Sequence, residues 1–195
     1  MLRSQKLNVL RKKRKLPGSN ETAGYFFIGD EGFPLSMNLM RPYSGRNLNE
    51  NKKIFNYRLS RARKTIENAF GILVSRWRVL RSSCMHPNTV DRIILSTVCL
   101  HNFLKSFEEQ QSATYNRVYC PPNFIDVENN NGDVINGAWR ENDVHIQGIQ
   151  PCNARRATIE AYEQRDKLTN YFLTLQGEIP WQYEYVRRVQ NCDRM

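Results

Sequence analysis

A chain of 195 residues with 40% hydrophobic content can hold one ordinary domain with a real core. Its formal charge of +10 is localised: residues 1–81 hold 18 Lys and Arg against 5 Asp and Glu, whereas residues 82–195 hold 11 against 14. No apolar run approaches the roughly 18 residues of a membrane span and the N-terminus lacks the apolar core of a secretory signal, so a membrane protein is excluded and a polyanion, nucleic acid first, is the expected partner. Cys84, Cys99, Cys120, Cys152 and Cys192 show no CxxC spacing, and five cannot all pair within one chain, which reads as a reduced, intracellular protein.

Arg11-Lys12-Lys13-Arg14-Lys15 is an uninterrupted basic run in a segment with no acid before Glu21. Its composition suits a nuclear localisation signal or a phosphate-binding arm, and equally a chance cluster on a solvated surface. Leu16-Pro17-Gly18-Ser19-Asn20 reads as a loop, and Tyr25-Phe26-Phe27-Ile28 as a short buried strand that delivers Asp30 at its C-terminal end. Loops rich in Pro and Gly follow. A long helix is then expected from about Asn51, with nine Lys and Arg between Lys52 and Arg81 and one acid, Glu67. Its apolar residues Leu59, Ala62, Ile66, Ala69, Phe70, Leu73, Trp77 and Leu80 fill one arc at 100° per residue, with Glu67 at the margin. Gly71, one turn past Glu67, leaves room either for a metal or DNA strand or for close packing of another element.

The stretch from Cys84 to Pro87 breaks this pattern, and Asn88 or Thr89 can cap a second helix through Phe107, apolar around most of its circumference and so expected in the interior. His101 on it has no His, Cys or acid one turn away and reads as a hydrogen-bonded core histidine. From Glu108 to about Asn153 the chain is polar and aperiodic, expected to be flexible. Helical spacing returns from Ala157 to Leu175, with Gly177 closing that helix.

Asp30 and Glu67 are the acids that warrant a chemical reading. Two-metal phosphodiester hydrolysis uses clustered carboxylates to hold two Mg²⁺ or Mn²⁺ about 3.5–4 Å apart. A carboxylate at the edge of a buried stripe in a basic field suits a metal ligand facing nucleic acid. The plainer alternatives are a turn-forming Asp30 and a surface Glu67 paired with Arg63, worth only about 0.3 kcal/mol when exposed.

GDEGFPLSMNLMRPYS at Gly29 to Ser44, FNYRLSRARKTIENAFGILVSRWRVL at Phe55 to Leu80 and VCLHNFL at Val98 to Leu104 resemble the C-terminal part of the nuclease domain of PIF/Harbinger transposases and the domesticated nucleases derived from them. The resemblance implies a DDE superfamily endonuclease: an α/β, RNase H-like fold whose D, D, E triad binds divalent metal, Mg²⁺ or Mn²⁺, and cuts DNA. Asp30 matches the second acid and Glu67 the third. The first acid lies upstream of the GD segment in the family, whereas here Glu21, in a Ser-Asn-Glu-Thr loop, does not match it. The expected fold is therefore partial and helix-dominated, lacking the first strands of the sheet, with truncation or an incomplete N-terminus both accounting for the loss.

The expected organisation is a basic arm at 1–20, a partial nuclease domain at 21–107, a polar flexible insertion at 108–153, and a C-terminal helix and tail at 154–195 packing on the nuclease domain. Arg58, Arg61, Arg63, Lys64, Arg76 and Arg78 are the candidates for DNA phosphates; Trp77, inside the apolar arc, is expected in the core. The expected activity is metal-dependent DNA cleavage, impaired in this chain, in the nucleus or also the cytoplasm, with DNA and a separate DNA-binding protein as partners. The alternative is a noncatalytic nuclear protein that keeps only a DNA or partner surface.

Overall fold

The computed structural model describes residues 13–45, 47–81, 85–112, 114–142 and 157–192. Arg11 and Lys12 of the basic run, Cys84, Cys152 and the polar residues 143–153 lie outside the described residues. The architecture is mixed α/β and helix-dominated: among the described residues there are four α-helices and three two-stranded sheets. Two compact units divide the chain, Met1–Arg63 with Gly148–Met195 and Lys64–Gln147, so the division falls inside the long helix.

In the first unit, β1 (Lys13–Lys15) and β2 (Thr22–Gly24) form an antiparallel hairpin, so the end of the basic run is a paired strand. The predicted loop Leu16–Asn20 is its turn, where Gly18 adopts φ 66°, the left-handed conformation glycine takes at no steric cost. β3 (Phe27–Ile28) pairs in parallel with β4 (Leu39–Met40). The strand read from Tyr25 to Ile28 is thus shorter than expected, and it is not buried: Tyr25, Phe27 and Ile28 are all exposed. Among the described residues β3 pairs with β4 alone, which leaves these side chains exposed.

α1 (Glu50–Arg76) starts where Asn49 Oδ1 accepts the Lys52 amide at 3.0 Å, an N-cap that satisfies one of the orphan donors of the first turn. Its first half buries Ile54, Phe55, Tyr57 and Leu59. Phe55 and Leu59 pack with Leu35, Met40, Tyr43, and Ala161 and Leu168 of α3 (Ile159–Tyr171). Ile54 and Tyr57 pack with Val186 of α4 (Gln182–Cys192). Asn56 fixes the approach of the β4 loop: its Oδ1 accepts the Tyr43 amide at 2.7 Å and its Nδ2 donates to the Tyr43 carbonyl at 2.9 Å.

In the second unit, α1 ends at Arg76 and a 3₁₀ turn, Arg78–Leu80, replaces the α-helix expected there. α2 (Pro87–Gln110) begins with Pro87 in its first turn and His86 as N-cap, two residues before the nearer predicted cap, Asn88. The described part of the polar segment is built from a 3₁₀ turn at Pro122–Phe124, the antiparallel pair β5 (Val127–Glu128) and β6 (Val134–Ile135), and a second 3₁₀ stretch at Ala138–Asn142. Cys120, Phe124 and Trp139 from this segment form the core of the unit with Ile72.

That packing overturns two expectations. The predicted arc of α1 is exposed at Ile66, Ala69 and Phe70, whereas Leu73 further along it is buried as expected. The buried positions Gly71 and Ile72, with half-buried Asn68, lie about half a turn away, because the polar segment supplies the aromatic residues and docks there. α2 is not interior: Leu95 and Phe103 are each 66% exposed, Leu100 and Phe107 are exposed too, and the buried face carries Thr97, His101 and Glu108. A helix apolar all round buries only the face that meets a neighbour, and the described residues give α2 one such face.

His101 is the hydrogen-bonded core histidine expected. Trp77 Nε1 donates to the Tyr119 hydroxyl at 2.8 Å, and that hydroxyl lies 2.6 Å from His101 Nδ1. Burial, aided by the charge of Lys105, lowers the imidazole pKa below its usual value and favours the neutral ring. Glu108 ties the segment to α2 by accepting the Tyr119 and Cys120 amides at 2.6 and 2.9 Å.

Gly71 meets the second of its two sequence readings, close packing. A Cβ there would lie 2.3–2.6 Å from three Trp139 ring atoms. Gly71→Ala would gain about 1 kcal/mol of helix propensity but lose about 1–3 kcal/mol to overpacking against a ring that is 6% exposed. The expected outcome is a net loss near 1 kcal/mol, a Tm lower by about 2–4 °C in a thermal melt; a raised Tm would contradict this packing.

Candidate functional site

Asp30 follows β3 by one residue. The Gly29 amide continues the strand pairing by donating to the Met40 carbonyl at 2.9 Å. Asp30 Oδ1 accepts the Gly32 amide at 2.9 Å and its carbonyl accepts the Phe33 amide at 3.3 Å, so the side chain forms the turn that ends the strand. Arg41 pins the far side of the same loop, donating to the carbonyls of Glu31 and Phe33. Asp30 Oδ2 is the outer oxygen; it lies 3.9 Å from Arg63 Nη2, and the carboxylate is partly exposed. The Asp30 of the sequence argument is therefore a turn former that also turns one oxygen toward a cation of α1.

Glu67 lies in the second unit, exposed on α1, and its surroundings were not legible from periodicity. The next residue, Asn68, docks the polar segment. Its Nδ2 donates to the Asp126 carbonyl at 3.2 Å, and its Oδ1 accepts the Asp126 amide at 3.2 Å and Trp139 Nε1 at 2.8 Å. Asp126, its side chain 4% exposed, accepts the Gly137 amide at 2.8 Å and a two-pronged hydrogen bond from Arg140 through Nε and Nη2. Burial pushes the Asp126 carboxyl up, but hydrogen bonds from Arg140 and Gly137 and the Arg140 charge more than offset it and hold the group below its usual value. The Arg140 guanidinium, raised chiefly by its hydrogen bond to Asp126 and further by the charges of Asp126 and Glu67, lies 4.4 Å over the Trp139 ring.

The candidate phosphate ligands divide by environment. Arg58 is committed inside the first unit, donating to the Gly177 carbonyl at 2.7 Å and Gln182 Oε1 at 3.1 Å over the Phe172 ring. Burial, then the charge of Arg61, depresses its pKa. The Arg61 guanidinium lies 5.2 Å over Trp181, and Arg63 faces Asp30. Lys64 is half-buried, Arg76 lies 4.0 Å over the Phe124 ring, and Arg78 is exposed on the 3₁₀ turn.

A divalent cation of this class takes several convergent oxygen ligands. Among the described residues no three of His, Cys, Asp and Glu gather where a cation could be held, and Asp30 and Glu67 belong to different units. The described donors thus do not by themselves make a metal centre. Asn68 meets Asp126 and Trp139 at separations of about sixty to seventy residues, and Arg140 pairs with Asp126 inside an aperiodic stretch, so none of the four leaves a trace in local spacing; Gly71 one turn past Glu67 was the one signal of something packed there.

The sequence matches the family described as DDE superfamily endonuclease over residues 3–102, and the chain belongs to that family. The matched residues include both Asp30 and Glu67. "Protein ALP1-like" from Arabidopsis thaliana is 36% identical over 99 residues, covering 49% of this chain and 24% of that protein. The chain therefore spans about a quarter of the length of the curated relative it matches. No solved structure matches the chain. The family agrees with the resemblance to transposase-derived nucleases read from the sequence. No helix among the described residues is long and apolar enough to cross a membrane.

Asp126 contributes, with Glu108, to the acid response of this region. A folded-state pKa below the unfolded value of about 3.9 stabilises the fold above that pH, and the contribution is lost as pH falls through the lower folded value. Asp126→Asn is expected to lower Tm at pH 7 and to flatten the decline of Tm below about pH 4. Parallel acid limbs for the two proteins in melts from pH 7 to pH 2 would contradict the assignment.

Proposed function

We propose that this chain works in a Harbinger-type, transposase-derived DNA endonuclease with an RNase H-like core, in which Asp30 and Glu67 are the second and third acids of the D, D, E set. The observation that carries the reading is the family match itself, which embraces Gly29-Asp30 at a strand end and Glu67 on a basic helix. Endonucleases of this superfamily ordinarily work with divalent metal, which supplies an activated water and stabilises the leaving oxygen. Asp30 and Glu67 are the two carboxylates this chain offers to Mg²⁺ or Mn²⁺. Asp30 Oδ2 is available once Arg63 turns to a phosphate, since 3.9 Å is a loose ion pair rather than a hydrogen bond. Lys64, Arg63 and Arg78 position the strand by its phosphates, while Arg58 supports the fold.

The basic run ending in Lys13–Lys15 supports a nuclear site of action. As in the resembling family, a separate DNA-binding protein would deliver the target sequence. A second reading, a noncatalytic nuclear protein that binds DNA or a partner, is favoured by one observation: the chain matches two of the three acids, and the first of these already serves a turn.

A supercoiled-plasmid nicking assay separates the two. On the nuclease reading, nicking requires Mg²⁺ or Mn²⁺ and falls by about 10²-fold or more in Asp30→Ala and Glu67→Ala. Nicking unchanged in both variants sinks the assigned roles. Salt-dependent DNA binding that ignores metal, without nicking, selects the second reading.

A further inference from the structure

The first unit contributes a turn-forming acid, and α2 an exposed apolar face whose partner nothing in the structure identifies. The most fully built arrangement outside the matched acids is the one around Arg140. We propose that Arg140 is a phosphate-binding arginine set beside Glu67, its guanidinium fixed from behind by Asp126 and Trp139 so that its outer edge receives a DNA strand. This rests on the reading that the chain binds DNA, and not on its cutting DNA.

Three features distinguish Arg140 from an ordinary surface cation. Its guanidinium has five N–H donors in a rigid fork. Nε donates to Asp126 Oδ1 and Oδ2 at 3.0 and 3.1 Å and Nη2 to Oδ2 at 2.5 Å, while the Nη1 edge meets no acceptor among the described residues. The side chain remains 39% exposed although its partner Asp126 is 4% exposed, so the counter-charge is sunk beneath the cation rather than beside it. The guanidinium carbon lies 4.4 Å from the centroid of the Trp139 ring, a cation–π contact that holds the fork from one side.

The anchor is tied to the turn of α1 that bears Glu67. Trp139 is held by Asn68, the residue after Glu67, and its ring lies on Gly71, one turn further. Asp126 is bonded to Asn68 through both its amide and its carbonyl. A fork fixed before binding loses less side-chain entropy on meeting a phosphate than a free arginine does. Residues 82–195 carry 11 Lys and Arg against 14 Asp and Glu, so Arg140 is a placed cation and not one of a diffuse basic field.

The test is fluorescence anisotropy of labelled duplex and single-stranded oligonucleotides with the full 195-residue chain in EDTA, over a KCl titration. Arg140→Gln alone strands the buried Asp126, so the decisive protein is the Asp126→Asn/Arg140→Gln pair, neutral and still hydrogen-bonding, with its fold checked by circular dichroism and Asp126→Asn as control. Loss of one phosphate contact lowers the slope of log K against log salt by about 1, uniformly across sequences, while Asp126→Asn keeps the wild-type slope. An unaltered slope in the folded double variant overturns this inference alone. A wild-type chain that shows no salt-dependent DNA binding overturns it together with the DNA reading; a lowered slope in a chain that never nicks DNA upholds it and removes only the nuclease reading.

Discussion

A helix bonds its own peptide groups and has none left to offer to chain that packs on its flank. Two asparagines of α1 make good that lack. A carboxamide carries an acceptor and a donor, as a peptide group does, and each of these side chains bonds both the amide and the carbonyl of one distant residue: Asn56 that of Tyr43, Asn68 that of Asp126. Each bond contributes only about 1 kcal/mol net, but an unpaired peptide group at these part-buried sites costs about 1–3 kcal/mol. Neither aspartate, which lacks the donor, nor serine, which is too short to present both, can do the same. In the first unit this pairing seats the loop beyond β4, and in the second it seats the polar segment at Asp126, while Glu108 holds its earlier part at Tyr119 and Cys120.

The seating of Asp126 has consequences beyond packing. It brings Trp139 onto Gly71 and gives the ring an Asn68 acceptor, and the ion-paired Arg140 over that ring feels the charge of Glu67 one turn before Gly71. The order of these dependencies is physical: the backbone pair fixes the segment, the segment fixes the ring, and the ring with Asp126 fixes the guanidinium. Charge that composition spreads over the first 81 residues is thereby joined by one cation from the acidic part of the chain.

The apolar surfaces follow a different logic. α1 in its second half, and α2 over much of its length, carry large apolar side chains that are half exposed or more, Ile66 and Phe70 on the one and Leu95 and Phe103 on the other. Exposed apolar area on this scale is unusual for an isolated domain. The chain spans 24% of the length of the curated relative it matches.

The sequence by itself determined the family, because short motifs around Asp30, Glu67 and His101 are local strings that need no fold to be compared. It also determined α1, the core histidine and the localisation of charge, since period, caps and composition are properties of neighbouring residues. What it could not decide was which face of α1 is buried. Periodicity identifies an apolar arc but not the partner, and Trp139, Phe124 and Cys120 reach Ile72 and Gly71 from an aperiodic segment some fifty to seventy residues away. Only the tertiary structure turned that segment from a polar run into the wall of Glu67's surroundings, because hydrogen bonds between a side-chain amide and a remote backbone leave no trace in spacing.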